Sequence, residues 1–430
     1  MLRRYTEAEF VQRFLQRDRG LTWDISVETR VSEILRSVRE DGDAVVCEYA
    51  GMFDGVSDLR ERGLAVDPDA IARGPEQIPG DLIEAMRLAI ANLRSFHRRE
   101  VYGSWWDTRE DGSIVGQKVL PMKRAGIYVP GGRAAYPSSL LMGAVPAQVA
   151  GVEELVVCSP PGPDGEVNPL ILAAAALLGV EKVFRIGGAQ AIAAMAFGTE
   201  TVPAADIICG PGNIYVTEAK RLVYGVVEID SLAGPSELAV IADDSADSCT
   251  VAADLVAQAE HDPEAGVFLF TGDADLFAEV SAEVENQAKN TEREEIARAA
   301  LENESAAVVG PEDHLWELIN RQAPEHLSIR MRDSAEKLTK VRNVGAVFIG
   351  PLTAVAFGDY TAGVNHVLPT AGTARFGSAL GVESFLKRTN ILHMSKEGFA
   401  QLAHPTELFA RAEGLAAHAD SIAIRRDEEC

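Results

Sequence analysis

An alternation over residues 126–229 narrows the possible folds more than any other feature of the sequence. Short apolar runs at 126–129, 155–158, 183–186 and 207–209 are separated by stretches of helical character at 139–150, 169–178, 189–197 and 214–224. Such runs are strands buried on both faces, and strands alternating with helices imply right-handed crossovers and a parallel sheet covered on both sides. The same alternation resumes with strand-like runs at 238–242, 267–270, 306–309 and 346–349. The fold class is therefore α/β, with two parallel-sheet units and a cleft between them. Ligands of open parallel sheets bind beyond the carboxyl ends of the strands.

Outside these regions the pattern is plainer. Residues 1–21 read as a short amphipathic arm, 27–49 and 80–101 as helices, and 105–120 as a β-type segment. The tail from about Arg375 shows short helices and no obvious strand, and is expected to pack as an arm. The chain has 430 residues, 47% of them hydrophobic, enough for two or more cores. A net charge of −25 disfavours nucleic acid and anionic membranes as partners. Cys47, Cys158, Cys209, Cys249 and Cys430 are scattered without a CxxC pair, which fits a reduced cytoplasmic protein. The start lacks the apolar core of a signal peptide, and no uncharged run is long enough to span a bilayer.

Several strand ends carry glycine-rich loops: Val129-Pro130-Gly131-Gly132-Arg133, Gly187-Gly188-Ala189-Gln190 and Gly210-Pro211-Gly212-Asn213. They allow close backbone approach to a dinucleotide, although the G-x-G-x-x-G fingerprint and the P-loop are absent and ordinary tight turns explain them equally well. In Ala323-Pro324-Glu325-His326-Leu327 a carboxylate and an imidazole stand together after a helix-ending proline. They can handle protons at pH 7, or simply be a capping Glu and a packed His. Gln258 and His261 share a helical face just before Pro263. Asp359 and His366 frame a glycine-rich loop, and Glu413 and His418 lie in a small-residue tail helix. His97, His314, His393 and His404 read as surface or packing residues. No compact H-E-x-x-H motif is present, so any metal would be held by residues from distant segments.

Taken together, the chain resembles the histidinol dehydrogenase family over nearly its whole length. The resemblance rests on Phe53-Asp54-Gly55-Val56, Gly126-Ile127-Tyr128-Val129-Pro130-Gly131-Gly132, Gly188-Ala189-Gln190-Ala191 and Gly210-Pro211-Gly212-Asn213. It extends through Ala233-Gly234-Pro235-Ser236-Glu237, Gln258-Ala259-Glu260-His261-Asp262, Ala323-Pro324-Glu325-His326-Leu327, Asn365-His366-Val367-Leu368-Pro369-Thr370 and Phe385-Leu386-Lys387-Arg388-Thr389.

The resemblance implies two incomplete Rossmann-like domains, at 123–235 on the NAD side and at 22–122 plus 236–374 on the zinc side. It implies terminal arms at 1–21 and 375–430, the latter swapped in a homodimer. Zinc, one per subunit, falls to Gln258, His261 and Asp359, with His418 donated by the partner. Glu325 and His326 become the proton-handling pair. Substrate contacts fall on Ser236, Gln258, His261, His326, Asp359, His366, Glu413 and His418, and NAD contacts on Tyr128, Gln190 and Asn213. The implied reaction is oxidation of L-histidinol to L-histidine through the aldehyde, using two NAD and one water. Oxidation of another polar alcohol, such as a sulfonated diol, is the alternative. A zinc hydrolase with Glu325 as base, or a non-catalytic nucleotide binder, would show no NAD turnover.

Overall fold

The computed structural model describes residues 2–16, 24–131 and 135–427; Gly132 and Arg133 of the first glycine-rich loop, and Cys430, lie outside the described residues. In chain order the strands are β1 (Arg4–Tyr5), β2 (Trp105–Thr108), β3 (Ile114–Pro121), β4 (Arg124–Tyr128), β5 (Glu154–Ser159), β6 (Lys182–Arg185) and β7 (Ile207–Cys209). They continue with β8 (Glu228–Ile229), β9 (Glu237–Ala242), β10 (Gly266–Thr271), β11 (Ser305–Val309), β12 (His326–Arg330), β13 (Ala346–Ile349) and β14 (Leu386–His393). Residues up to Glu100 and Lys123–Phe385 form one compact unit, and Val101–Met122 with Leu386–Cys430 a second.

The first unit holds two wholly parallel sheets, ordered β6-β5-β4-β7-β8 and β1-β11-β10-β9-β12-β13. In each, the order reverses beside the first strand of its βα series, at β4/β7 and at β9/β12, which leaves a crevice at that point. The sheet interiors are close-packed aliphatic cores. Val156, Ile208 and Ile192 pack in one, and Leu238, Val267 and Leu255 in the other.

Some elements differ from the sequence expectation. Arg4–Tyr5, expected within a separate arm, adds a parallel edge strand to β11, and Phe10 and Phe14 pack edge-on against Phe268. The helix Ile25–Phe53, expected on the zinc side, packs through Val31, Ile34, Leu35 and Val38 on the five-stranded sheet's helices. His326 opens a strand that the sequence reading left as a break.

In the second unit β14 pairs antiparallel with β3 along its whole length, and β2 pairs with β3. The tail therefore contains a strand, contrary to expectation, and residues 101–122 belong with it. The helices Lys396–Ala412 and Ala416–Asp427 pack on each other, and Ser395 caps the first by accepting from the Gly398 amide. This unit keeps large apolar side chains exposed, among them Trp106, Leu392, Phe409 and Ile424. Among the described residues, no helix is long and apolar enough to cross a membrane.

Candidate active site

The helix Glu312–Gln322 ends at Ala323, whose left-handed backbone (φ 51°) turns the chain sharply into Pro324. Glu325 follows, and His326 starts β12, which is inserted between β9 and β13 with His326 opposite Leu238 and Ala346. Both side chains are buried. The Glu325 carboxylate accepts at Oε2 from the Ser236 hydroxyl (2.5 Å) and the Glu237 amide (2.9 Å). The His326 Nδ1 lies 3.0 Å from the Glu237 carbonyl oxygen. A carbonyl only accepts, so Nδ1 carries the proton and Nε2 keeps the lone pair of a base.

Gln258, in the last turn of the helix Ser248–Ala259, donates from Nε2 to the Ser236 hydroxyl at 2.9 Å. The result is a directed chain from Gln258 through Ser236 to Glu325, in which the Gln258 carbonyl oxygen takes no part. Asp359 lies in the short helix Ala356–Tyr360, and His366 Nδ1 donates to the Asp359 backbone carbonyl at 3.1 Å. Burial holds the His366 imidazole below its usual range, against the pull of Asp359, and so favours its neutral form.

These groups meet in a cavity of about 330 Å³, lined by Ser236, His261, Glu325, His326, Asp359 and His366. Pro130, Gly210, Gly212, Asn213, Asp230 and Ser231 complete its wall from the other sheet. The expectation of a site beyond the carboxyl ends of strands holds for one sheet only. Residues following β4, β7 and β8 line the cavity, but Ser236 and the Glu325–His326 pair stand at the amino ends of β9 and β12. The carboxyl ends of β9 and β10 are walled instead by Asp243, Asp244, Asp273, Asp275 and Glu312, which would repel a phosphate.

A second cavity, of about 700 Å³, opens beyond the glycine-rich ends of the five-stranded sheet and is lined by Tyr128, Gly188, Gln190 and Asn213. Gly210, in the wall of the first cavity, is in a conformation (φ 119°) that L side chains rarely adopt, and a Cβ would strike the Tyr128 carbonyl. The Tyr128 hydroxyl accepts from the Gly188 amide at 3.1 Å, and burial pushes its phenol up to about 12, so it keeps its proton for a ligand. Gln190 is almost fully buried, and its Nε2 has no partner. Asp54 also lines this cavity, with Oδ2 buried and unpartnered and its carboxyl pushed up to about 6 by desolvation. Sequence reasoning gave Asp54 no role, although Phe53-Asp54-Gly55-Val56 was part of the resemblance.

Among the described residues, no group of three or more His, Cys, Asp or Glu side chains forms a metal centre. His261 and Asp359 share one cavity wall with an oriented Gln258 amide beside them. This donor chemistry suits zinc, but it is one strong ligand short of a tetrahedral set. Glu413 and His418 belong to the second unit, at the end of Lys396–Ala412 and within Ala416–Asp427.

Two parallel sheets carrying a buried, oriented carboxylate–imidazole pair beside a glycine-walled cavity define an α/β protein whose site has the groups to move a proton. Residues 18–426 match the family model described as histidinol dehydrogenase. Histidinol dehydrogenase of Synechococcus is 46% identical over 430 residues, covering 99% of each chain. That of Moorella thermoacetica is 49% identical over 402 residues, covering 93% of this chain and 95% of its own. The crystal structure of histidinol dehydrogenase from Elizabethkingia anophelis superposes with a TM-score of 0.92 at 34% identity, covering 99% of this chain and 98% of that one. The chain belongs to the histidinol dehydrogenase family and is an oxidoreductase.

Proposed function

We propose that the protein carries out the zinc-dependent, NAD-linked four-electron oxidation of L-histidinol to L-histidine through L-histidinaldehyde, the last steps of histidine biosynthesis. One observation carries the reading. The cavity holding Glu325 and His326 and the cavity holding Tyr128 and Gln190 share Pro130, Gly212 and Asn213 as a common wall. A carbinol in the first would lie beside a nicotinamide in the second. The strand order β6-β5-β4-β7-β8 is the Rossmann order short of its sixth strand, which supports NAD binding on that side.

Zinc held by Gln258, His261, Asp359 and His418 of the partner subunit would supply a grip on the substrate's imidazole and amine, and NAD the redox chemistry. His326 Nε2 takes the hydroxyl proton. Glu325, fixed by Ser236 and Glu237, activates the water that attacks the aldehyde, and His326, having released its first proton to solvent, deprotonates the resulting hydrate. Ser236, His366, Glu413 and His418 complete the substrate contacts. The exposed apolar side chains of the second unit support a homodimer in which this unit packs on the partner, with the enzyme working in the cytoplasm.

A sulfonated diol fits less well. The described lining of the substrate cavity contains carboxylates and imidazoles but no Arg or Lys, which suits a cationic substrate. The test is to supply NAD and L-histidinol to zinc-loaded protein and follow reduced cofactor by absorbance. Two NADH should form per histidinol, with little free aldehyde. A ratio of one, or accumulating aldehyde, would overturn the four-electron reading.

A further inference from the structure

Residues His326, Ser328 and Arg330 alternate along β12 and so share one face, opposite Leu327 and Ile329, which enter the aromatic core. The polar face thus carries the catalytic imidazole at one end and a buried guanidinium at the other. Arg330 Nη2 donates to Asp254 Oδ2 at 2.5 Å and to the Thr353 carbonyl at 3.0 Å. Its Nη1 donates to the Gly350 carbonyl at 2.5 Å and its Nε to the Ser328 hydroxyl at 3.0 Å. Asp254 in turn accepts from the Val355 backbone amide. Both side chains are buried.

The two partners fasten different ligand-bearing segments. Asp254 sits one helical turn before Gln258 in the helix Ser248–Ala259, which leads directly to His261. The carbonyls gripped by Arg330 belong to the loop that feeds the helix Ala356–Tyr360, which carries Asp359. We infer that the Arg330–Asp254 pair is a positioning device that sets the distance between Gln258–His261 and Asp359, and through it the affinity for zinc. This rests on the zinc reading proposed above. A buried ion pair serving stability alone could be replaced by apolar residues at little cost. This pair instead spends its donors on the loop that leads to a metal ligand.

The test uses full-length protein stripped of metal and titrated with zinc against a chromophoric chelator, alongside the d–d spectrum of the cobalt-loaded form. Arg330→Met combined with Asp254→Leu removes the pair without stranding a charge. It should melt cooperatively when metal-free, yet hold zinc about 10- to 100-fold more weakly, with shifted cobalt bands. Arg330→Lys keeps the charge but loses the planar fork that spans Gly350 and Thr353, and should weaken zinc by about tenfold. It also carries the test if the double variant fails to fold. Wild-type zinc affinity and cobalt spectrum in either folded variant would overturn the inference alone. Failure of the wild-type protein itself to take up zinc would overturn both this inference and the reading it rests on.

Discussion

Glu325 and His326 are neighbours in sequence and both lean on the Glu237 backbone, the carboxylate on its amide and the imidazole on its carbonyl, yet they should fail differently. His326 is fixed through Nδ1 to that carbonyl, so His326→Asn removes the ring nitrogen, Nε2, proposed to take the hydroxyl proton. Each oxidation must lose a hydroxyl proton, and both steps should slow by about 10²–10⁴-fold in single-turnover measurements. Glu325→Gln keeps the shape of the site and loses the charge, so the aldehyde step should suffer more than the alcohol step. Normal oxidation of added histidinaldehyde by this variant would remove Glu325 as the base for water. The pair itself was legible as a motif. Its support was not, because the Ser236–Glu325 bond joins residues 89 apart in sequence and forms only once β9 and β12 lie side by side. Asp54 escaped for a related reason: nothing local marks a helix-ending aspartate as a cavity wall.

At the scale of elements, the aliphatic strands were readable because burial on both faces leaves an uninterrupted apolar run. Four strands were not. The strands β1 and β8 have two residues each, β12 alternates polar and apolar residues behind a proline, and β14 reads Leu-Lys-Arg-Thr-Asn-Ile-Leu-His and is largely exposed along its length. An exposed strand needs no hydrophobic period, and its pairing with β3 supplies what its composition does not signal. The approach to β13 offers a sharper test. A Cβ on Gly345 would lie 2.6 Å from the Glu325 carbonyl oxygen and 3.2 Å from Pro369 Cδ. Gly345→Ala must therefore shift the backbone that carries the Glu325 carboxylate. It should lower kcat by about 10- to 100-fold with the circular dichroism spectrum retained. A wild-type kcat would show that the register of β12 on β13 does not govern the pair.

At the scale of the whole molecule, the first unit contains two strong zinc donors and an amide, and the second contains His418. If His418 serves the partner's site, two inactive chains should repair each other. His261→Ala and His418→Ala, mixed under conditions that exchange subunits, form mixed dimers in half of the pairings. Each mixed dimer holds one intact site and one doubly damaged one. Activity should return to about a quarter of wild type if the sites are independent. Exchange verified by mass without any return of activity would assign His418 to its own subunit.

The wall formed by Pro130, Gly212 and Asn213 also bears on traffic during a double oxidation. On the reaction proposed above, one compartment would keep its occupant through both rounds, while the other would empty and refill between them. Because hydride would pass directly between the two ligands, the partition must be incomplete where they meet, yet the spent dinucleotide would leave from its own side while the aldehyde stayed in the other cavity. The same partition makes its three residues poor candidates for tuning one ligand alone, since any change to the wall is felt on both sides.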